Sequence, residues 1–239
     1  MIYKASMRAL WKGSILLAVL SVCNLAMGQS GNCNPYTVNM GTENTSYQAP
    51  VNNDYKYSFT EILYTADEIG SGEGTIEKIE FHYAHTAAMT AKSNVTIYMA
   101  NTVKSSFNNA TDWVVTGLTQ VYNGTLNCTH QGWNDFSLTA PFAYTGGNLL
   151  VVIDDNSATT GNGLSYTFYC TATSGNMVLR TQSDSRHYSL SGSYPVSAQT
   201  GTMDTYPARQ GGGQHHHPPL SAHLSPSCRT HITLCHSVH

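Results

Sequence analysis

The sequence predicts an all-β protein, a two-sheet antiparallel β-sandwich of jelly-roll type, on three observations. Only 10% of its 239 residues are charged, too few for the Glu-, Lys- and Arg-rich surfaces of long helices, coiled coils or acidic disordered chains. Apolar residues recur with a period of two in short runs. Turn residues separate those runs at short intervals, and an all-β sandwich takes up a chain of this length as one domain.

At the N-terminus, Lys4, Arg8 and Lys12 precede an apolar run from Ile15 to Ala26, and Ala26-Met27-Gly28 offers small residues ahead of a cleavage point. This pattern predicts a secretory signal peptide over residues 1–28, cut after Gly28. The apolar run has about 12 residues where a membrane-spanning helix needs about 20. No later segment is long and apolar enough, so the mature chain is expected to be secreted or held at the cell surface without a membrane span. Its three basic residues leave with the leader, so the remainder carries 8 Lys and Arg against 14 Asp and Glu, a net charge of −6. Without a basic stripe to release phosphate counterions, nucleic acid is excluded as a partner.

From Gln29 to Ala208 the chain reads as strands and turns. Thr75 to Tyr83 sets Ile79, Phe81 and Tyr83 on one face and Glu80 and His82 on the other, the alternation of a half-buried strand. Val95, Ile97 and Met99 repeat it. Leu118–Tyr122 and Thr125–Cys128 flank Asn123-Gly124, which predicts a hairpin with a type I′ turn. Further strands are expected over Trp133–Leu138, Asn148–Asp154, Leu164–Cys170 and Asn176–Thr181. The run from Leu149 to Ile153 is apolar on both faces and so belongs at the centre of a sheet. Single helical turns fit at Thr65–Ile69 and Lys104–Phe107.

Past Arg209 the composition changes. Residues 209–239 hold 7 of the 11 His, a Gly211-Gly212-Gly213 run, His215-His216-His217 and Pro218-Pro219. They are expected to form a disordered tail outside a 29–208 sandwich domain, because a segment without periodicity has no face to bury. Within it only Thr230–Leu234 has the content of a short strand.

The ordered phrases of the body resemble a β-sandwich domain of secreted and cell-surface proteins of Bacteroidetes, where it accompanies gingipain-like peptidases and type IX secretion sorting domains. The residues that carry the resemblance are Tyr55-Lys56-Tyr57-Ser58-Phe59-Thr60, Ile69-Gly70, Ile76–Phe81, Val95–Met99, Asn101–Phe107, Asp112-Trp113, Gly132-Trp133-Asn134 and Asn148–Asn156. The resemblance covers about Tyr55 to Asn156 and implies a non-catalytic jelly-roll module for adhesion or glycan binding. At the C-terminal end the sequence departs from the pattern, for no sorting domain follows.

Several residues are candidates for chemistry. Tyr98, Trp113, Tyr122, Trp133 and Tyr188 stand among 15 Tyr and 3 Trp, and flat rings with a polar edge suit stacking against the sugars of a host or bacterial surface glycan. Core packing is the alternative for each. Asp154, Asp155 and Asn156 gather hard oxygen ligands at a strand end, a candidate structural Ca²⁺ site, with a self-bonded turn as the alternative. Cys128 and Cys170 each close an expected strand and are a candidate disulfide of an exported protein. HExxH, GxSxG and phosphate-cradling glycine motifs are absent, so the expected function is a non-catalytic adhesion or glycan- and protein-binding module. Two rivals remain: a structural spacer in a larger surface protein, and a hydrolase assembled in space from Glu77, Glu80 and Asp135, served by His82 or His85.

Overall fold

The computed structural model describes residues 36–40, 45–70, 72–204, 225–228 and 230–235. The leader expected over residues 1–28 and the Gly/His/Pro run at 211–219 lie outside the described residues. The strands are β1 (Tyr36–Met40), β2 (Thr45–Tyr47), β3 (Tyr57–Tyr64), β4 (Gly74–Tyr83), β5 (Lys92–Thr102), β6 (Thr119–Leu126), β7 (Gly132–Tyr144), β8 (Asn148–Asp155), β9 (Phe168–Thr173), β10 (Val178–Ser183), β11 (Thr202–Met203), β12 (Ser225–Cys228) and β13 (Thr230–Cys235), with an α-helical turn, α1 (Ala66–Ile69), and a 3₁₀ turn at Val196–Ala198. They form two antiparallel sheets, so the expected sandwich is what the chain builds. One sheet has the order β11-β10-β3-β8-β5-β6; the other runs β1-β13-β4-β9-β12, with β2 added on β9 and β7 on β4.

The alternation read in the sequence places the inter-sheet core. Ile76, Ile79, Phe81 and Tyr83 of β4 meet Val95, Ile97 and Met99 of β5 and Leu149, Val151 and Ile153 of β8. The six-stranded sheet is also covered on its other face. The loops 103–118 and 184–201 lay Phe107, Trp113, Tyr188 and Val196 over Phe59, Leu63, Leu150, Val152 and Leu179. This second core explains the doubly apolar run of β8, which lies between β3 and β5 as its sequence demands. Each large side chain buried under that roof contributes about 1.5–3 kcal/mol, enough to hold two long loops as part of the folded body.

Four sequence expectations are corrected. Asn123 and Gly124 do not turn a hairpin: β6 continues through them, pairing Asn123 with Thr96 and Gly124 with Val95. The Asn123 side chain bonds Thr96 Oγ1 at 2.8 Å, and glycine suits the site because a Cβ there would stand 2.8 Å from the Tyr122 hydroxyl. Cross-strand pairing has overridden local turn preference. Lys104–Phe107 forms no helix and instead crosses the sheet as roof loop, whereas α1 forms with a complete capping box between Thr65 and Glu68 and a left-handed Gly70. The domain does not end at 208. β13 inserts between β1 and β4 with Ile232 opposite Ile79 and buried in the core, and β12 pairs with β9; a tract biased in composition hid a short alternating strand. Finally, no bond joins Cys128 to Cys170. Cys128 is a buried thiol, pushed up to about 12 by burial, while Cys170 lies in register with Thr45 of β2 and Cys228 of β12.

Candidate functional site

A cleft of about 510 Å³ opens at the end of the sandwich where β3 begins and β8 finishes, lined by Tyr57, Asn94, Asn156, Ala158, Ser185, Arg186, His187 and Tyr194. Two loops, after β8 and after β10, and the starts of β3 and β5 supply these residues. Tyr194 is 46% exposed, and the Arg186 guanidinium lies 5.3 Å from the centre of its ring. His187 and Tyr57 approach with ring centres 6.3 Å apart. The cleft therefore offers two phenol rings, two amides, a hydroxyl, an imidazole and a guanidinium, and none of its lining residues is acidic.

The segments that carry Tyr57, Asn156 and Ala158 are tied together by a buried cation. Lys92 and Asp155 are both 0% exposed at the side chain and stand 3.0 Å apart. Lys92 Nζ also donates to the carbonyls of Tyr55 and Thr159, each at 2.7 Å, so its three protons reach the loop before β3, the loop after β8 and the end of β8 itself. Asp155 accepts in addition from Ser157 N–H at 3.0 Å and Ser157 Oγ at 2.5 Å. Burial lifts the Asp155 carboxyl above its ordinary range, and the Lys92 charge and the serine bonds oppose that lift. Backbone bonds complete the tie: Ala158 N–H to Lys56 O at 3.1 Å, Asn156 N–H to Asn94 O at 2.8 Å and Gly161 N–H to Asn53 O at 2.6 Å. Ala158, on the cleft wall, is held with φ of 56°, a left-handed conformation costing a residue with a Cβ about 1–2 kcal/mol; the bond to Lys56 O holds it there.

The expected Ca²⁺ ligands do not converge. Asp155 faces the inter-sheet core beside Val95, whereas Asp154, its neighbour along β8, faces the other core beside Phe59. Adjacent strand residues point to opposite faces, and the Lys92 ammonium stands 3.0 Å from Asp155. Asn156 Nδ2 donates to Asp154 Oδ1 at 3.1 Å. Burial, followed by the nearby Asp155 charge, pushes Asp154 up to about 7. Among the described residues no group of three His, Cys, Asp or Glu is arranged to hold a metal ion.

The aromatic candidates divide. Trp113 (9% exposed) and Tyr188 (6% exposed) belong to the second core, their polar atoms donating to Gln199 O at 2.9 Å and Gln182 O at 3.1 Å; they are roof residues, not platforms. Tyr98 is half-buried against the same core, and Tyr122 packs edge-on to Phe136 at 6.1 Å with its hydroxyl bonded to Thr125 O. Trp133 lies on the outer face of the seven-stranded sheet, stacked on His82 at 4.6 Å and 10°, with Tyr169 on the far side of His82 at 4.9 Å. Rings stacked across strands spend their faces on one another, which leaves mainly edges for a ligand. On that same face Glu80 is in register with Asp135, and Lys78 Nζ lies 3.4 Å from Glu80. His85 bonds Thr167 through Nε2.

Of the cleft residues, sequence reasoning singled out only Asn156, and as a Ca²⁺ ligand. The other lining residues left one signal, Ser185-Arg186-His187 just ahead of Tyr188, where Arg186 follows only Arg180 among Lys and Arg after Lys104.

No family model matches the chain, and no curated protein matches it significantly. Among solved structures it is similar to chitosan-binding module 1 of a chitosanase/glucanase from Paenibacillus sp. IK-5, with 16% identity over 57% of this chain and 89% of that one and a TM-score of 0.28. It is also similar to a structure of infectious bursal disease virus, Gx strain, with 10% identity over 87% of this chain and 37% of the viral one and a TM-score of 0.21. Likenesses this distant carry no argument about ligand, so the functional reading stands on the chain's own residues.

Proposed function

We propose that the chain is a non-catalytic, exported binding module that takes up part of a glycan in the loop-end cleft. The observation that carries this reading is the composition of the cleft wall: the phenol rings of Tyr57 and Tyr194 stand with the amides of Asn94 and Asn156 around one open hollow of mixed polar and apolar lining. A sugar ring presents apolar C–H faces and a girdle of hydroxyls. Aromatic rings accept the first, and amides, which both donate and accept, match the second. An open hollow suits one segment of a long polymer better than it suits a small molecule that must be enclosed on most sides. The rigid sandwich beneath, with Lys92 fixing three of the cleft's supports, lowers the ordering cost of binding. Surface display of such a module accords with the Bacteroidetes resemblance and with the leader read at residues 1–28.

The test is calorimetric titration of the full chain with neutral and acidic oligosaccharides, repeated on Tyr194→Ala and Tyr57→Ala. Loss of one stacking ring should weaken binding by roughly twofold to tenfold with an unchanged thermal midpoint for Tyr194→Ala. A chain that binds no oligosaccharide, or whose binding ignores both variants, would return the module to a spacer role.

A further inference from the structure

Resting on the glycan reading of the same cleft, we propose that the glycan is anionic and that Arg186 receives its carboxylate or sulfate group.

Six Lys and Arg side chains lie within the described residues. Four are ion-paired: Lys78 with Glu80 at 3.4 Å, Lys92 with Asp155 at 3.0 Å, Lys104 with Asp112 at 2.6 Å and Arg180 with Asp204 at 2.9 Å. The two without a carboxylate partner are Arg186, in the cleft wall, and Lys56, which immediately precedes the cleft residue Tyr57. In a chain of net charge −3 every other described Lys and Arg has been neutralised, and of the two left over Arg186 is the one that lines the hollow.

The carboxylates nearest the cleft are already engaged. Asp184 accepts from Lys56 N–H at 3.2 Å, Asp154 from Asn156 Nδ2 at 3.1 Å, and Asp155 is held by Lys92 and Ser157. None of them lines the hollow.

Arg186 is exposed, and its recorded contact is the ring of Tyr194 at 5.3 Å. That contact restrains the guanidinium plane without using its N–H groups. A planar fork with free donors matches the paired oxygens of a carboxylate or sulfate. Its position against Tyr194 would let one sugar residue stack on the phenol while its acidic substituent reaches the fork. His187 and the Asn94 and Asn156 amides supply further donors around the same space.

The experiment compares three oligomers on the full chain by calorimetry at low salt and at about 0.5 M salt, where exposed charges are screened within a few ångströms: an oligogalacturonide carrying carboxylates, a sulfated dextran oligomer, and unmodified dextran. At least one anionic oligomer should bind about tenfold tighter than dextran at low salt, with the preference shrinking at high salt. Which anionic arm wins identifies the group as carboxylate or sulfate. Arg186→Gln should reduce the anionic oligomer to the level of dextran, and Arg186→Lys, which keeps the charge and loses the fork, should retain an intermediate preference. Thermal melting of both variants checks that the loop remains folded. Dextran binding as tightly as the anionic oligomers, or an anionic preference intact in Arg186→Gln, would overturn the proposal and leave the glycan reading standing. Failure of all three oligomers to bind would overturn both.

Discussion

The buried Lys92 is the residue whose loss reaches furthest. Its ammonium has three partners, Asp155 and the carbonyls of Tyr55 and Thr159, and neither charged side chain reaches solvent. Lys92→Met keeps the aliphatic stem but strands a carboxylate and two carbonyls in the interior. Removing one partner of a buried ion pair costs about 3–5 kcal/mol, and that is the expected loss in a urea titration followed by tryptophan fluorescence. Adding Asp155→Asn removes the stranded charge while leaving an acceptor for the Ser157 hydroxyl. The double variant should therefore recover part of the loss, the pattern expected when an uncompensated charge dominates the penalty. Because the three partners belong to the loops beneath Tyr57, Asn156 and Ala158, Lys92→Met should also weaken ligand binding in conditions where it is still folded. A loss under about 1 kcal/mol, within the range of an exposed pair, would refute the view that this cation organises the cleft, as would a double variant no better than the single one.

Two further predictions concern the rest of the sandwich. Glu61 is buried beneath the roof loop with Val114 N–H 3.1 Å from each of its oxygens, and burial pushes it up to about 8 against the lowering effect of that bond. Asp154 is likewise raised to about 7. Both pKa values are higher in the folded chain, which then binds more protons than the unfolded one, so stability should fall as pH rises from about 4 to 8, by at most about 1.4 kcal/mol per unit for each group. Glu61→Gln should flatten the profile and be the more stable form at pH 8, and a parent protein with flat or rising stability over that range would count against the assignment. Truncation after Ala208 removes β12 and β13 and with them the partner that separates β1 from β4, leaving an unpaired edge on β4 and a cavity at Ile232. The truncated chain should be aggregation-prone or destabilised by several kcal/mol in circular-dichroism melts, and a soluble, equally stable product would show that these strands contribute nothing.

What the sequence disclosed and what it hid follow one physical division. Alternation is imposed by a half-buried sheet, so β4 and β5 were visible as Ile79-Phe81-Tyr83 and Val95-Ile97-Met99, and the doubly apolar β8 announced its central place. Asn123-Gly124 misled because turn preference is local, while its pairing with β5 depends on residues nearly thirty positions away. The same distance hid the function of the aromatic residues. Trp113 and Tyr188 looked like stacking platforms until two loops, far apart in sequence, were seen to close over one face of a sheet. Asp154 and Asp155 looked like a pair of ligands because they are adjacent in the chain, yet strand geometry sends adjacent residues to opposite cores. The cleft itself is assembled from positions 57, 94, 156 and 185–194, with no periodicity to link them. Its clearest sequence trace was Arg186 followed by His187 and Tyr188, a cation beside rings in a chain poor in Lys and Arg. A site of that kind becomes legible only after the other described cations have been paired, and that pairing leaves Arg186 in the cleft wall and Lys56 beside Tyr57 in sequence.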